Sequence, residues 1–131
     1  MLARKDKIMV PEWVLVVEDE YLVALDIEME LTGAGVETVM IVTTLQQAAA
    51  ALEENTPDCV LLDVSLSDGS SYDLARRLKA SGIPFGFVSG YSDSSAFPAD
   101  LVESPLLGKP FDQQALQDFV FGLVSAPDVA A

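Results

Sequence analysis

The chain has no histidine, a single cysteine, and only seven Lys and Arg among its 131 residues. Without histidine it has no imidazole general base, no zinc site with His ligands and no phosphohistidine. The one cysteine, Cys59, lies inside an apolar run, so no intramolecular disulfide is possible and a reducing compartment is expected. Apolar runs are short. None reaches membrane-spanning length, and no apolar stretch of signal-peptide length precedes the acids at 18–20, so a cytoplasmic protein with no membrane partner is expected. Three of the basic residues, Arg4, Lys5 and Lys7, crowd the first seven positions, leaving Arg76, Arg77, Lys79 and Lys109 for the rest. Against them stand 21 Asp and Glu, a net charge of -14. That balance repels nucleic acid and anionic membranes and suits cations or basic protein surfaces.

Half the residues are hydrophobic, enough for a core in one domain of this length. No repeat, linker or low-complexity stretch interrupts the chain. The pattern predicts a flexible N-terminal arm over 1–12, a domain over 13–125 and a tail over 126–131. Five apolar runs lack polar alternation: 13–17, 36–42, 59–62, 83–88 and a weak one at Leu106 and Leu107. Helical spacing separates them, in Leu22, Leu25 and Met29, in Leu45, Ala48, Ala49 and Leu52, in Leu74, Ala75 and Leu78, and in Leu116, Phe119, Val120 and Leu123. Thr44 with Gln47 reads as a capping box, and Gly33 and Gly35 as the stop of the first helix. Residues 92–104 read as a poor helix or a loop, because Pro98 breaks the pattern. Unalternating strands each followed by a helix predict an α/β fold with a parallel sheet covered on both faces, and the flavodoxin-like order 2-1-3-4-5 is the common arrangement.

In such a sheet, ligands bind beyond the carboxyl ends of the strands where the strand order reverses, between the first and third. The first run ends in Glu18, Asp19 and Glu20, and the third in Asp63. Carboxylates gathered in a partly desolvated cleft raise one another's pKa unless a cation neutralises them. An all-oxygen donor set favours a hard ion, with Mg2+ as the cellular candidate. Taken alone, the three acids could as well complement the dipole of the following helix. The fourth and fifth runs bring Ser89 and Lys109 to the same edge. Singly these could be a helix cap and a surface charge; together with the acids they form a set able to accept a phosphoryl group.

The segments VLVVEDE, DCVLLDVSLSDGSSYDLARRL, FVSGY and LLGKPF resemble, in order and spacing, the receiver domain of two-component response regulators from Val14 to about Val124. The resemblance implies Asp63 as phosphoacceptor, and Glu18, Asp19 and the backbone carbonyl of Ser65 beside Asp63 as the Mg2+ shell. It also implies Ser89 as the switch hydroxyl, Lys109 as the phosphate partner and a cis peptide before Pro110. Gly90 fits the small residue expected near the phosphate, and Ser65 and Tyr91 match positions that set the rate of phosphoryl hydrolysis. Leu106 departs from the pattern, because an aromatic ring coupled to the switch usually stands there. Residues 84–91, PFGFVSGY, resemble in part the Phe-Ala-Thr-Gly-x-Tyr signature of single-domain receivers that lack this ring, with Val88 and Ser89 in place of Ala-Thr and no residue between Gly90 and Tyr91.

About 20 residues follow Lys109, room for a last helix alone, which predicts a stand-alone receiver in a phosphorelay. The expected partners are a histidine kinase or histidine phosphotransfer protein and an output protein that the sequence does not specify, reached through Tyr91 or the 92–104 loop; a homodimer through the last helix is compatible. Such a protein is no enzyme beyond its own phosphorylation and dephosphorylation. The alternative is a Mg2+-dependent phosphohydrolase with Asp63 as nucleophile, but those of the haloacid-dehalogenase type carry Asp-x-Asp after the first strand. An FMN-binding flavodoxin-like protein would need a glycine-rich loop after the first strand, and the only candidate, at 32–35, ends a helix.

Overall fold

The computed structural model describes residues 10–90 and 97–125. In chain order it comprises β1 (Trp13–Val17), α1 (Tyr21–Gly33), β2 (Thr38–Val42), α2 (Leu45–Glu54), β3 (Cys59–Asp63), β4 (Ser65–Leu66), β5 (Gly69–Ser70), α3 (Tyr72–Ser81), β6 (Phe85–Ser89), β7 (Leu106–Gly108) and α4 (Gln113–Ser125). The main sheet is parallel throughout, in the order β2-β1-β3-β6-β7. Counted by its own five strands this is 2-1-3-4-5, the flavodoxin-like order expected from the sequence. A small antiparallel pair, β4 with β5, was not foreseen; it follows β3 directly.

Alternation along the strands sorts the core into two layers. Leu15 and Val17 of β1, with Val60 and Leu62 of β3, pack against Ala48 and Ala51 of α2 and Leu74, Ala75 and Leu78 of α3. Val14, Val16, Cys59 and Leu61 pack on the other face against Ile27 and Leu31 of α1 and Leu116 and Val120 of α4. Each fully buried Val or Leu contributes about 1.5–3 kcal/mol, which explains why these strands tolerate no polar alternation. At β6, the rings of Tyr72, Phe85 and Phe97 all meet Phe87 within 4.9–6.2 Å, each edge to face.

The capping signals act as expected, with one refinement. Thr44 Oγ1 accepts from Gln47 N at 3.1 Å, while Gln47 Oε1 accepts from Thr43 N, one residue before the cap. Asp68 accepts from Leu45 N and Gln46 N and so covers the remaining donors of α2 from the β4–β5 turn. Gly35, at φ +108, takes the chain out of α1.

Helix α1 forms where the spacing predicts it. It turns Ala24, Ile27 and Leu31 inward, while Leu22 and Met29 are 78% and 71% exposed. Both faces of this helix are apolar, so spacing alone does not tell which stripe is buried. Between β6 and β7 no helix occurs among the described residues 97–104, only turns closed by Leu101 N on Pro98 O and Ser104 N on Leu101 O. Leu101 is buried, and Arg76 of α3 ties the segment down by gripping both carboxylate oxygens of Asp100. Of the expected arm, residues 1–9 lie outside the described residues, as does the tail. Pro11 is buried and Glu12 N donates to Asp58 Oδ2 at 2.8 Å, so residues 11–12 join the strand edge. Among the described residues no helix is long and apolar enough to cross a membrane.

Candidate functional site

Parallel strands deliver their carboxyl ends to one edge, and the edge at the β1–β3 reversal gathers the acids. Val17 and Leu62 are register partners, so Glu18 and Asp63 leave adjacent strands at the same level. Ser89 closes β6 and Gly108 is its partner on β7; Lys109 N donates to Ser89 O at 2.8 Å, which fixes where the lysine side chain begins. The Lys109–Pro110 peptide is cis, as the resemblance implied.

Lys109 Nζ stands among three carboxylates, 2.8 Å from Glu20 Oε1, 2.9 Å from Glu18 Oε1 and 3.7 Å from Asp63 Oδ2. Carboxylate oxygens of Glu18, Glu20 and Asp63 lie within 4.8 Å of one another, a separation a single cation can span. Glu18 is buried, and Glu20 N donates to its Oε2 at 3.0 Å. Its Oε1 has the ammonium close by but off the line a hydrogen bond needs, leaving a buried oxygen with no donor aimed at it. Burial raises the Glu18 carboxyl to about 7; Lys109 and the Glu20 amide pull it down only in part, and Asp63 pushes it further up. For Lys109, burial opposes the charge, but the Glu20 hydrogen bond and attraction from Glu18 and Asp63 outweigh it and the pKa is raised.

Asp63, Glu18, Ser89 and Lys109 are thus brought to one sheet edge, as expected. Asp19 is not part of the group. It is exposed, and its neighbour Glu20 takes the place beside the ammonium. The reason is local: the carboxylates are arranged around Lys109, and the turn from β1 into α1 aims Glu20 at it. Sequence reading missed Glu20 in this role, although its place in the acidic run at 18–20 was visible. Ser65 is exposed in β4, two residues past Asp63, and Ser71 N reaches back to Val64 O at 2.9 Å to fix that turn. Ser89 is buried. Tyr91 and residues 92–96 lie outside the described residues. Leu106 is half-buried, is the register partner of Phe87 and packs into the same cluster of side chains.

The donor set suits Mg2+: oxygen atoms only, a buried carboxylate oxygen that accepts no hydrogen bond, and a burial cost on Glu18 that the ammonium relieves only in part and a cation would relieve further. A parallel five-stranded sheet with an acidic pocket and a lysine at its carboxyl edge is the arrangement that the resemblance to a receiver implied. The family pattern described as the response regulator receiver domain matches residues 14–121, and the chain belongs to that family. Among relatives, it is 32% identical over 101 residues to the phyllosphere-induced regulator PhyR of Methylorubrum extorquens, covering 75% of this chain and 38% of PhyR. The chain therefore spans about two fifths of that relative's length. The solution structure of SdrG from Sphingomonas melonis Fr1 superimposes with a TM-score of 0.76 at 32% identity, covering 88% of this chain and 98% of that one. A putative response regulator from Chloroflexus aurantiacus J-10-fl gives a TM-score of 0.78 at 27% identity over the same shares. These matches lend the phosphohydrolase alternative no support.

Proposed function

We propose that the chain is a phosphoryl-accepting module of a two-component relay, with Asp63 as the acceptor. One observation carries the reading: the carboxylates of Asp63 and Glu18 share the Lys109 ammonium at 3.7 and 2.9 Å, at the point where the strand order reverses. A carboxylate oxygen of Asp63 attacks phosphorus and forms the new O–P bond as the bond to the donor breaks. The donor departs with the electron pair of that bond, as imidazole from a phosphohistidine or as acetate from acetyl phosphate. Lys109 offsets charge on the phosphoryl oxygens, and Ser89 presents its hydroxyl to them. Glu18, Asp63, the carbonyl of Ser65 and, after rotation of its exposed side chain, Asp19 would hold Mg2+. When bound, that ion neutralises the oxygens of the transferring group.

The donor would be a histidine kinase or histidine phosphotransfer protein. The exposed apolar side of α1 supports this, because Leu22, Leu25 and Met29 with Pro110 and Phe111 line a groove that opens beside Lys109. An apolar strip next to a reactive pocket suits a helical partner that must present a histidine to it. Output would pass through protein contact, in a cytoplasmic setting.

Incubation with acetyl phosphate and Mg2+ should raise the mass by one phosphate on Asp63. Asp63→Asn should remove that increment while leaving the circular dichroism spectrum unchanged. An unphosphorylated wild-type protein, or a folded Asp63→Asn protein that still takes up phosphate, would refute the assignment.

A further inference from the structure

We infer that Glu20 is a positioning residue that holds the Lys109 ammonium back from Asp63 until a phosphoryl group draws it away. The inference rests on the receiver reading above and adds to it a residue that competes for the lysine. Three features of Glu20 support it. First, of the three carboxylates around Nζ, Glu20 provides the one directed hydrogen bond, at 2.8 Å, whereas Asp63 lies at 3.7 Å. Second, Glu20 occupies the N-cap of α1 with extended backbone, where an acidic side chain ordinarily accepts from the helix's own N–H groups; here it caps nothing and reaches to Lys109 instead. Third, its side chain is 62% exposed, against 2% for Glu18.

The last contrast determines which partner lets go. Glu18 is fixed in the interior and cannot turn to water for another partner. Glu20 can return to water, and an ion pair so exposed biases an equilibrium only about two- to five-fold. A phosphoryl group arriving at Asp63 carries roughly 1.5 to 2 negative charges on its oxygens, more than the single solvated charge of Glu20. Lys109 then swings from the rim toward the acceptor. Glu20 thus slows the approach of the lysine to the reacting atoms without touching them.

The test compares the wild type with Glu20→Gln, which keeps the shape and removes the charge. With acetyl phosphate at saturating Mg2+, Glu20→Gln should take up phosphate about two- to five-fold faster. The gain should lie in the maximal rate, with Mg2+ affinity, titrated calorimetrically without donor, changed by less than that factor. In a Lys109→Gln background the gain should vanish, because a competitor for an absent ammonium has no effect. NMR of the Lys109 Cε methylene gives a second readout: its shift should differ between wild type and Glu20→Gln without donor and converge when acetyl phosphate is in excess. Equal rates, or an identical gain in the Lys109→Gln background, would overturn the inference. So would a Lys109 shift indifferent to Glu20, or a tenfold loss of Mg2+ affinity, which would make Glu20 a metal ligand. A wild-type protein that takes no phosphate would instead overturn the receiver reading, and this inference with it.

Discussion

Glu18 gives the site its pH dependence. Its carboxyl sits at about 7 in the folded chain against 4.5 for an unperturbed glutamate, chiefly because burial disfavours its charge. From about pH 4.5 to 7 the folded chain therefore holds a proton that the unfolded chain has released, so stability from this group is present at the acid end and lost as pH rises through 7. The loss amounts to at most ~3 kcal/mol. Urea melts without divalent ions should show stability falling across that window, and Glu18→Gln should remove the fall. With saturating Mg2+ the fall should shrink, since a cation favours the ionised carboxylate. A wild-type profile that is flat between pH 5 and 7 without Mg2+ would contradict the burial of this side chain.

At the level of elements, Gly86 on β6 shows how closely strand and helix approach. A Cβ there would stand 2.5 Å from Phe119 Cζ and 2.6 Å from Phe119 Cε2, so the ring of α4 lies almost on the strand backbone. Gly86→Ala should cost about 1–3 kcal/mol by overpacking, measured by chemical denaturation. Phe119→Leu in the same chain should recover part of the loss; no recovery would place the strain elsewhere. The same elements show what the sequence revealed. Runs such as Cys59–Leu62 have no polar alternation because both their faces are covered, and the register of β1 with β3 then carries Glu18 and Asp63 to one edge. The β4–β5 hairpin was hidden, since two-residue strands have no period to detect. The inward side of α1 was hidden for the opposite reason: apolar residues occupy both faces, and only the packed structure shows that Ala24, Ile27 and Leu31 are the buried ones. That Glu20 meets Lys109 could not be read from the sequence, because which acid of the run at 18–20 does so depends on the turn from β1 into α1.

For the molecule as a whole, the single tryptophan and the site lie at opposite ends of the sheet. Trp13 opens β1, and five to six residues at about 3.3 Å each put it roughly 20 Å from the acids. Tryptophan emission should therefore change little on adding Mg2+ or acetyl phosphate, while tracking unfolding in denaturant. Strong quenching by Mg2+ alone would require a long-range rearrangement of the sheet. A net charge of -14 makes the folded state repel itself, so moderate salt should strengthen the fold even as it weakens attraction to basic partners.

Cys59 stands at the opposite end of the strand that finishes in Asp63, fully buried, with its thiol pushed up to about 12 mainly by that burial. Alkylating reagents attack thiolates, so this sulfur stays inert until the sheet opens, and the pace of its modification becomes a clock for that opening. Occupying the far end of β3 with Mg2+ should slow the clock by the factor that ligand binding adds to native stability. One strand thus ties a silent label to the acidic pocket, and events at its mouth can be timed from its foot without adding any probe to the chain.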